Sequence, residues 1–250
     1  MLKKSKIFIP SLFLLVVAGG CSANIFEMME EGKNKVVQTM QELRLDFFGE
    51  LKEHAMIEQV PFIQQQPELD RGCEVTSLAM LLQYKGVKAD KMTLAKEIER
   101  VPFEQNGLHG NPNEGFVGDI YTTGKSGYGV YHKPIFKLGQ KYLPNELLDL
   151  TGRDIKDIYK AVSMGAPVWV ITNATFEPLD ESEFEMWHTN AGEVKITYQE
   201  HSVVIVGYDQ NNVYVNDPLA NSPKSAIPRE GFEKAWEQMG KQAISLVPQS

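Results

Sequence analysis

Residues 201–217, HSVVIVGYDQNNVYVND, constrain the fold more than any other stretch of this 250-residue chain. Two apolar, β-branched runs flank Gln210–Asn212, a tight polar connection. Such a pattern predicts an antiparallel hairpin. In a hairpin the start of one strand lies beside the end of the other. His201 and Asp217 are far apart along the chain, yet this arrangement makes them neighbours.

The remaining segments are read around that hairpin. EVKITY, PVWVIT and the closing QAISLV are further β-rich runs, and VPFI at Val60–Ile63 reads as a short strand. Helices are expected from Cys73 to Tyr84, stopping at Gly86, and from Asp90 to Arg100 behind an Asp cap. Others are expected after Pro134, from Asp154 to Met164, and from Glu230 to Met239. Residues 109–129 hold six glycines without a period and read as a long loop bordering a cleft. Residues 177–185 carry five acids and read as an exposed loop. Helices first and antiparallel strands later predict an α+β domain.

The N-terminus is of a different kind. Lys3, Lys4 and Lys6 precede the apolar run IFIPSLFLLVVAGG, which is too short for a comfortable membrane span and fits a secretion signal. The run ends AGGCS, which resembles a bacterial lipobox. That resemblance implies a lipoprotein signal at 1–20, lipidation of Cys21, and attachment to the outer face of the cytoplasmic membrane. An ordinary cut near Ala23 is the alternative. Cleavage before Cys21 removes three lysines and no acids, so the net charge moves from −8 to −11. Residues 21–57 are expected to form a helical tether, because Val36, Val37, Met40, Leu43, Phe47 and Leu51 follow a helical period. A spacer off the membrane and a helix packed on the domain's outside both fit that pattern. The domain proper is expected at 58–250.

Composition excludes some partners. No run of Lys or Arg interleaves with aromatics, so nucleic acid is not an expected partner. No His-x-x-His or Cys-x-x-Cys spacing suggests a metal, no glycine loop opens a helix after a strand, and no cofactor is expected.

The chemistry centres on Cys73, the one cysteine left once Cys21 is set aside. It opens an apolar helix, where unpaired N–H groups and the helix dipole favour a thiolate. Glu68, Asp70 and Glu74 oppose this, with Arg71 alone on the other side, so an imidazolium must supply the rest. A buried structural thiol is the competing reading. Of five histidines, His201 sits at the start of a core strand, where Asp217 can orient it as a buried carboxylate does in a Ser-His-Asp site. Gln64, Gln65 and Gln66 lie between VPFI and the cysteine. A glutamine N–H with the Cys73 backbone N–H would form an oxyanion hole.

Together VPFIQQQPELDRGCEVTSLAMLLQYKG, GNPNEGFVGD, GAPVWV, EHSVVIVGYD and VYVNDPL resemble the papain-like superfamily, specifically the peptidase C-39-like family. The resemblance runs from about Val60 to the C-terminus. It implies a papain-like α+β fold, with the cysteine helix against an antiparallel sheet. Position by position it implies Cys73 as nucleophile, His201 as base, Asp217 as orienting residue and Gln65 as oxyanion residue. The related leader peptidases precede a membrane span and an ATP-binding module. Here the chain ends soon after the core without a Walker-type loop, so a stand-alone relative is expected. The expectation is a membrane-anchored cysteine hydrolase acting on a peptide or protein substrate. A non-catalytic peptide-binding lipoprotein, or an acyltransferase with the same three residues, is the alternative.

Overall fold

The computed structural model describes residues 32, 33, 35–43, 45, 46 and 49–248. The expected signal segment and Cys21 lie outside them. Residues 1–37 and 38–250 form two separate units. Of the first, residues 32, 33 and 35–37 are helical.

The second unit is built on a seven-stranded antiparallel sheet. Its strands are β1 (Ala55–Met56), β6 (Leu147–Asp149), β7 (Val168–Asn173), β10 (Glu200–Tyr208), β11 (Asn212–Asn216), β12 (Ser225–Pro228) and β13 (Ala243–Leu246). The order is β12-β11-β10-β7-β13-β6, with β1 also paired to β10. Five helices accompany it: α1 (Cys73–Tyr84), α2 (Lys91–Glu97), α3 (His132–Tyr142), α4 (Ile155–Ser163) and α5 (Arg229–Gln238). A smaller sheet, β3-β4-β8-β9, uses Glu104–Gln105, Leu108–His109, Glu185–Thr189 and Gly192–Ile196. Strands β2 (Arg100–Val101) and β5 (Phe116–Val117) pair in parallel.

Helix α1 is the centre of this packing. Every residue from Cys73 to Leu82 is buried, as expected of a helix apolar on most sides. It lies on β10 and β7 and is flanked by α2 and α3. Two polar contacts pin its angle on the sheet. Ser77 Oγ donates to the Ser202 carbonyl at 3.1 Å, and Trp169 Nε1 donates to the Glu74 carbonyl at 3.0 Å. Each fully buried apolar side chain here, Leu78 and Trp169 among them, contributes about 1.5–3 kcal/mol. The helix stops as its sequence foretells, with Gly86 at φ +81°.

Several expectations need correction. VPFI forms no strand; the nearest strand is Ala55–Met56, and Gln65 N–H instead donates to the Pro218 carbonyl at 2.9 Å. The helix after Asp90 ends at Glu97, because Ile98 turns extended and buries its side chain, and Arg100 enters β2. Asp90 does cap it, accepting from the N–H groups of Met92 and Thr93. Residues 109–129 are not one loop, since they contain β5. The acidic stretch 177–185 holds a 3-10 turn at Glu181–Glu183, and Glu185 opens β8. Residues 38–43, 45 and 46 are helical, and Leu45 is wholly buried in the main core. Gln38 Nε2 donates to the Asp149 carbonyl at 3.0 Å, whereas Met40, Leu43 and Leu51 stay exposed. Among the described residues no helix is long and apolar enough to cross a membrane.

Candidate active site

The sheet brings His201 and Asp217 together, and an irregularity in the hairpin makes this possible. Tyr208 and Gly207 face Val213 and Tyr214, but Ile205 and Val204 face Val215 and Asn216, so Val206 is an extra residue. Without that step Asp217 would come opposite Val204, whose side chain leaves the sheet on the other face from His201. With it, Asp217 follows in register opposite Val203, on the His201 face. His201 Nε2 then donates to Asp217 Oδ1 at 2.7 Å. The ring is 3% exposed. Burial pushes the Asp217 carboxyl up, but the His201 hydrogen bond and charge, with the Leu219 N–H, outweigh this and hold it below its usual value. Because Nε2 is engaged, Nδ1 is the ring nitrogen left for the cleft.

Cys73 and His201 line one cavity of about 160 Å³, together with Gln65, Asp70, Arg71, Glu74 and Glu200. Gly127, Tyr128, Tyr198 and Leu219 complete its wall. Tyr198 and Leu219 are more than half exposed and form an apolar rim. The glycine-rich segment reaches the cleft as expected and docks on the residues just before α1. Asp70 and Arg71 donate their N–H groups to the carbonyls of Tyr121 and Ile120. Arg71 Nη1 donates to the Thr122 carbonyl at 2.7 Å, and Asp70 Oδ2 accepts from the Thr123 N–H at 2.7 Å. Gly72 lets this turn tighten, since a Cβ there would sit 2.5 Å from that of Leu69.

Of the three glutamines only Gln65 lines the cavity. Its Nε2 donates to the carbonyls of Leu69 and Asp70, both at 3.2 Å, and its Oε1 is buried without a partner among the described residues. Gln64 bonds the Ala220 carbonyl and Gln66 reaches Asp70, both on the exposed side. The other histidines lie elsewhere. His109 stacks on Trp187, His132 bonds Gln242, and His188 pairs with Glu193 on the surface.

The thiol's surroundings are more acidic than the sequence suggests. Glu68 is drawn off to Lys91 at 2.6 Å, and Asp70 is held by Thr123. Glu74, however, is wholly buried against the sulfur, with Cys73 Sγ 3.3 Å from its Oε2. Its Oε1 accepts from the Val130 N–H at 2.7 Å. Glu200 was not foreseen. The Cys73 sulfur and one oxygen from each of Glu74 and Glu200 lie within 4.8 Å of one another. Burial raises Glu74 to about 7, and burial plus the Glu74 charge raise Glu200 well above the usual range. Burial, followed by the charges of Glu74 and then Glu200, pushes the Cys73 thiol up, against a hydrogen bond from the Ser202 N–H. Two hard carboxyls and one soft sulfur match no single common cation well, and no metal role is assigned to them. A glutamate preceding a strand histidine was the one sequence hint of this pair.

Lys91 was also missed. From the first residue of α2 its Nζ donates to the carbonyls of Gln64, Gln65 and Gln66 at 2.7, 2.8 and 3.4 Å. It thereby ties the glutamine turn to the domain.

A thiol-bearing helix packed on an antiparallel sheet, with an imidazole at the start of a central strand, defines the papain-like cysteine peptidase fold. The chain belongs to the Peptidase_C39 like family, whose model matches residues 57–244. Membership makes it a cysteine peptidase-like enzyme. The uncharacterized protein YvpB of Bacillus subtilis (strain 168) is 48% identical over 181 residues, which is 72% of this chain and 70% of that one. A crystal structure of a Bacillus anthracis protein assigned as a C39-like peptidase superposes with a TM-score of 0.78 at 62% identity, covering 80% of this chain and 100% of that one. The Xylella fastidiosa cysteine protease xylellain scores 0.44 at 12% identity, covering 80% and 87%, which is too low to carry an argument.

Proposed function

We propose that the protein is a cysteine peptidase in which Cys73 is the nucleophile, His201 the base, Asp217 the group that orients His201, and Gln65 an oxyanion donor. The observation that carries this reading is the shared cavity. Cys73, His201 and Gln65 line it, while His201 is held from behind by Asp217. In the reaction the Cys73 proton passes to His201 and Sγ attacks the peptide carbonyl. The developing oxyanion is met by the Cys73 backbone N–H and by the Gln65 amide once its Nε2 turns from the carbonyls of Leu69 and Asp70. The C–N bond breaks as His201 returns its proton to the leaving amine, and a thioester remains. Water, deprotonated by His201, resolves the thioester to a carboxylic acid and restores the thiol.

In this reading the chain acts on peptides outside the cytoplasmic membrane, anchored through lipidated Cys21. Cys73→Ala should abolish peptide hydrolysis while leaving the melting temperature close to that of the parent. Equal turnover in that variant would remove Cys73 from the reaction. Cys21→Ser should move the protein from the membrane fraction into the medium, and its retention there would refute the anchor.

A further inference from the structure

The thiol needs a neighbourhood that tolerates a negative sulfur, yet two carboxyls are built against it. Glu74 enters from α1 and Glu200 from β10, and with Sγ they lie within 4.8 Å of one another. Space for both oxygens is made by Gly129, where a Cβ would stand 2.6 Å from Glu74 Oε1 and 2.8 Å from Glu200 Oε2. The Val130 N–H fixes one oxygen of Glu74, while Glu200 Oε1 is buried with no partner among the described residues. Two adjoining carboxyls, one wholly buried and the other half-buried, do not readily ionise together, because each charge raises the cost of the other.

The other groups facing the pair do not change this. From the segment leading into α3 come the phenols of Tyr128 and Tyr131, both held neutral by burial. From the turn before α1 come Asp70 and Arg71, and the Arg71 guanidinium is committed to the carbonyls of Asp119 and Thr122. Tyr198 stands at the rim, and from β10 comes the His201 ring, whose own partner is Asp217.

We infer that Glu74 and Glu200 act as one proton-holding pair that positions charge for Cys73: the thiolate forms while the pair keeps its protons, and is suppressed once one is lost. This rests on the cysteine peptidase reading for its consequence, because a suppressed thiolate means lost turnover on the basic side. The step is a simple proton loss. One carboxyl releases H⁺ to solvent, and the resulting anion within 4.8 Å of Sγ raises the cost of the thiolate–imidazolium pair. Coulomb's law at an effective dielectric of about 20 makes this about three-hundredfold in thiolate population.

The experiment is alkylation of Cys73 by iodoacetamide in the full chain between pH 5 and 9, read at the Cys73 peptide by mass spectrometry. In the parent protein the rate constant should fall between pH 6 and 8. Deprotonation of His201 would not produce such a fall, because it leaves the thiolate in place. In Glu200→Gln the fall should vanish. The ratio of variant to parent rate at pH 8, each normalised to its value at pH 5.5, should then reach at least tenfold. A ratio above threefold supports the pair, and a ratio at or below threefold overturns it. Should Glu200→Gln fail to fold, the same ratio in Glu74→Gln decides. Should both fail, the parent profile decides, and a continuous rise overturns the inference. Alkylation does not depend on turnover. Full hydrolysis by Cys73→Ala would therefore end the peptidase reading while leaving the pair standing.

Discussion

Removing the Asp217 carboxylate should weaken the fold by a calculable amount and should do so through His201 alone. The carboxylate makes two bonds, to His201 Nε2 at 2.7 Å and to the Leu219 N–H at 2.8 Å. The Leu219 N–H is exposed, so in Asp217→Ala water takes the lost place at little cost. His201 is 3% exposed, and its Nε2–H would be left without a partner. Stranding such a donor, or losing a charge-assisted bond of this kind, costs about 1.5–3 kcal/mol. The double-mutant cycle Asp217→Ala, His201→Ala and both together, measured by urea unfolding at pH 7, should therefore return a coupling energy of about 2 kcal/mol. The coupling should also depend on acid. Because Asp217 is held below its ordinary value in the fold, its contribution is present above its unfolded value near ~3.9 and fades as pH falls through the lower folded value. A coupling below about 0.5 kcal/mol at pH 7, or one that survives unchanged at the acid end, would refute the pairing.

Two further outcomes follow from contacts near the sulfur. Lys91→Met removes the tie across the carbonyls of Gln64, Gln65 and Gln66, and should cost about tenfold or more in kcat through a misplaced oxyanion donor, while Cys73 alkylation stays unchanged; unchanged kcat would detach Lys91 from catalysis. Gly129→Ala drives a methyl against Glu74 and Glu200 and should destabilise by about 1–3 kcal/mol in thermal unfolding, so an unaltered melting temperature would refute the close approach.

The parts of the site that depend on one local element were legible in the sequence. Helix α1 runs from Cys73 to Tyr84 as read, because Gly72 and Gly86 punctuate an apolar run. The His201–Asp217 neighbourhood needed only a hairpin. What escaped the sequence depends on distant chain segments. Glu200 reads as an ordinary polar residue at a strand start. It becomes a half-buried acid with one oxygen shut off from solvent, because Gly129, some seventy residues upstream, makes room for it beside Glu74. Val60–Ile63 has strand composition but no ladder to join, whereas Ala55–Met56 finds the end of β10. Lys91 has no local signal that sets it apart, and only the fold shows which carbonyls it meets.

The extra residue at Val206 turns the hairpin into a device that counts odd and even. Length changes at the Asp209–Asn211 tip leave the facing residues as they are, and a turn can absorb them. Loss of Val206 itself would leave a plain ladder with the acid still opposite Val203, whereas a further residue added between His201 and Gly207 and not set aside in the same way would send the acid to the sheet's opposite side and leave the imidazole unescorted. Natural variation in this segment should therefore gather at the tip, remove the extra residue itself, or come along the strands in twos.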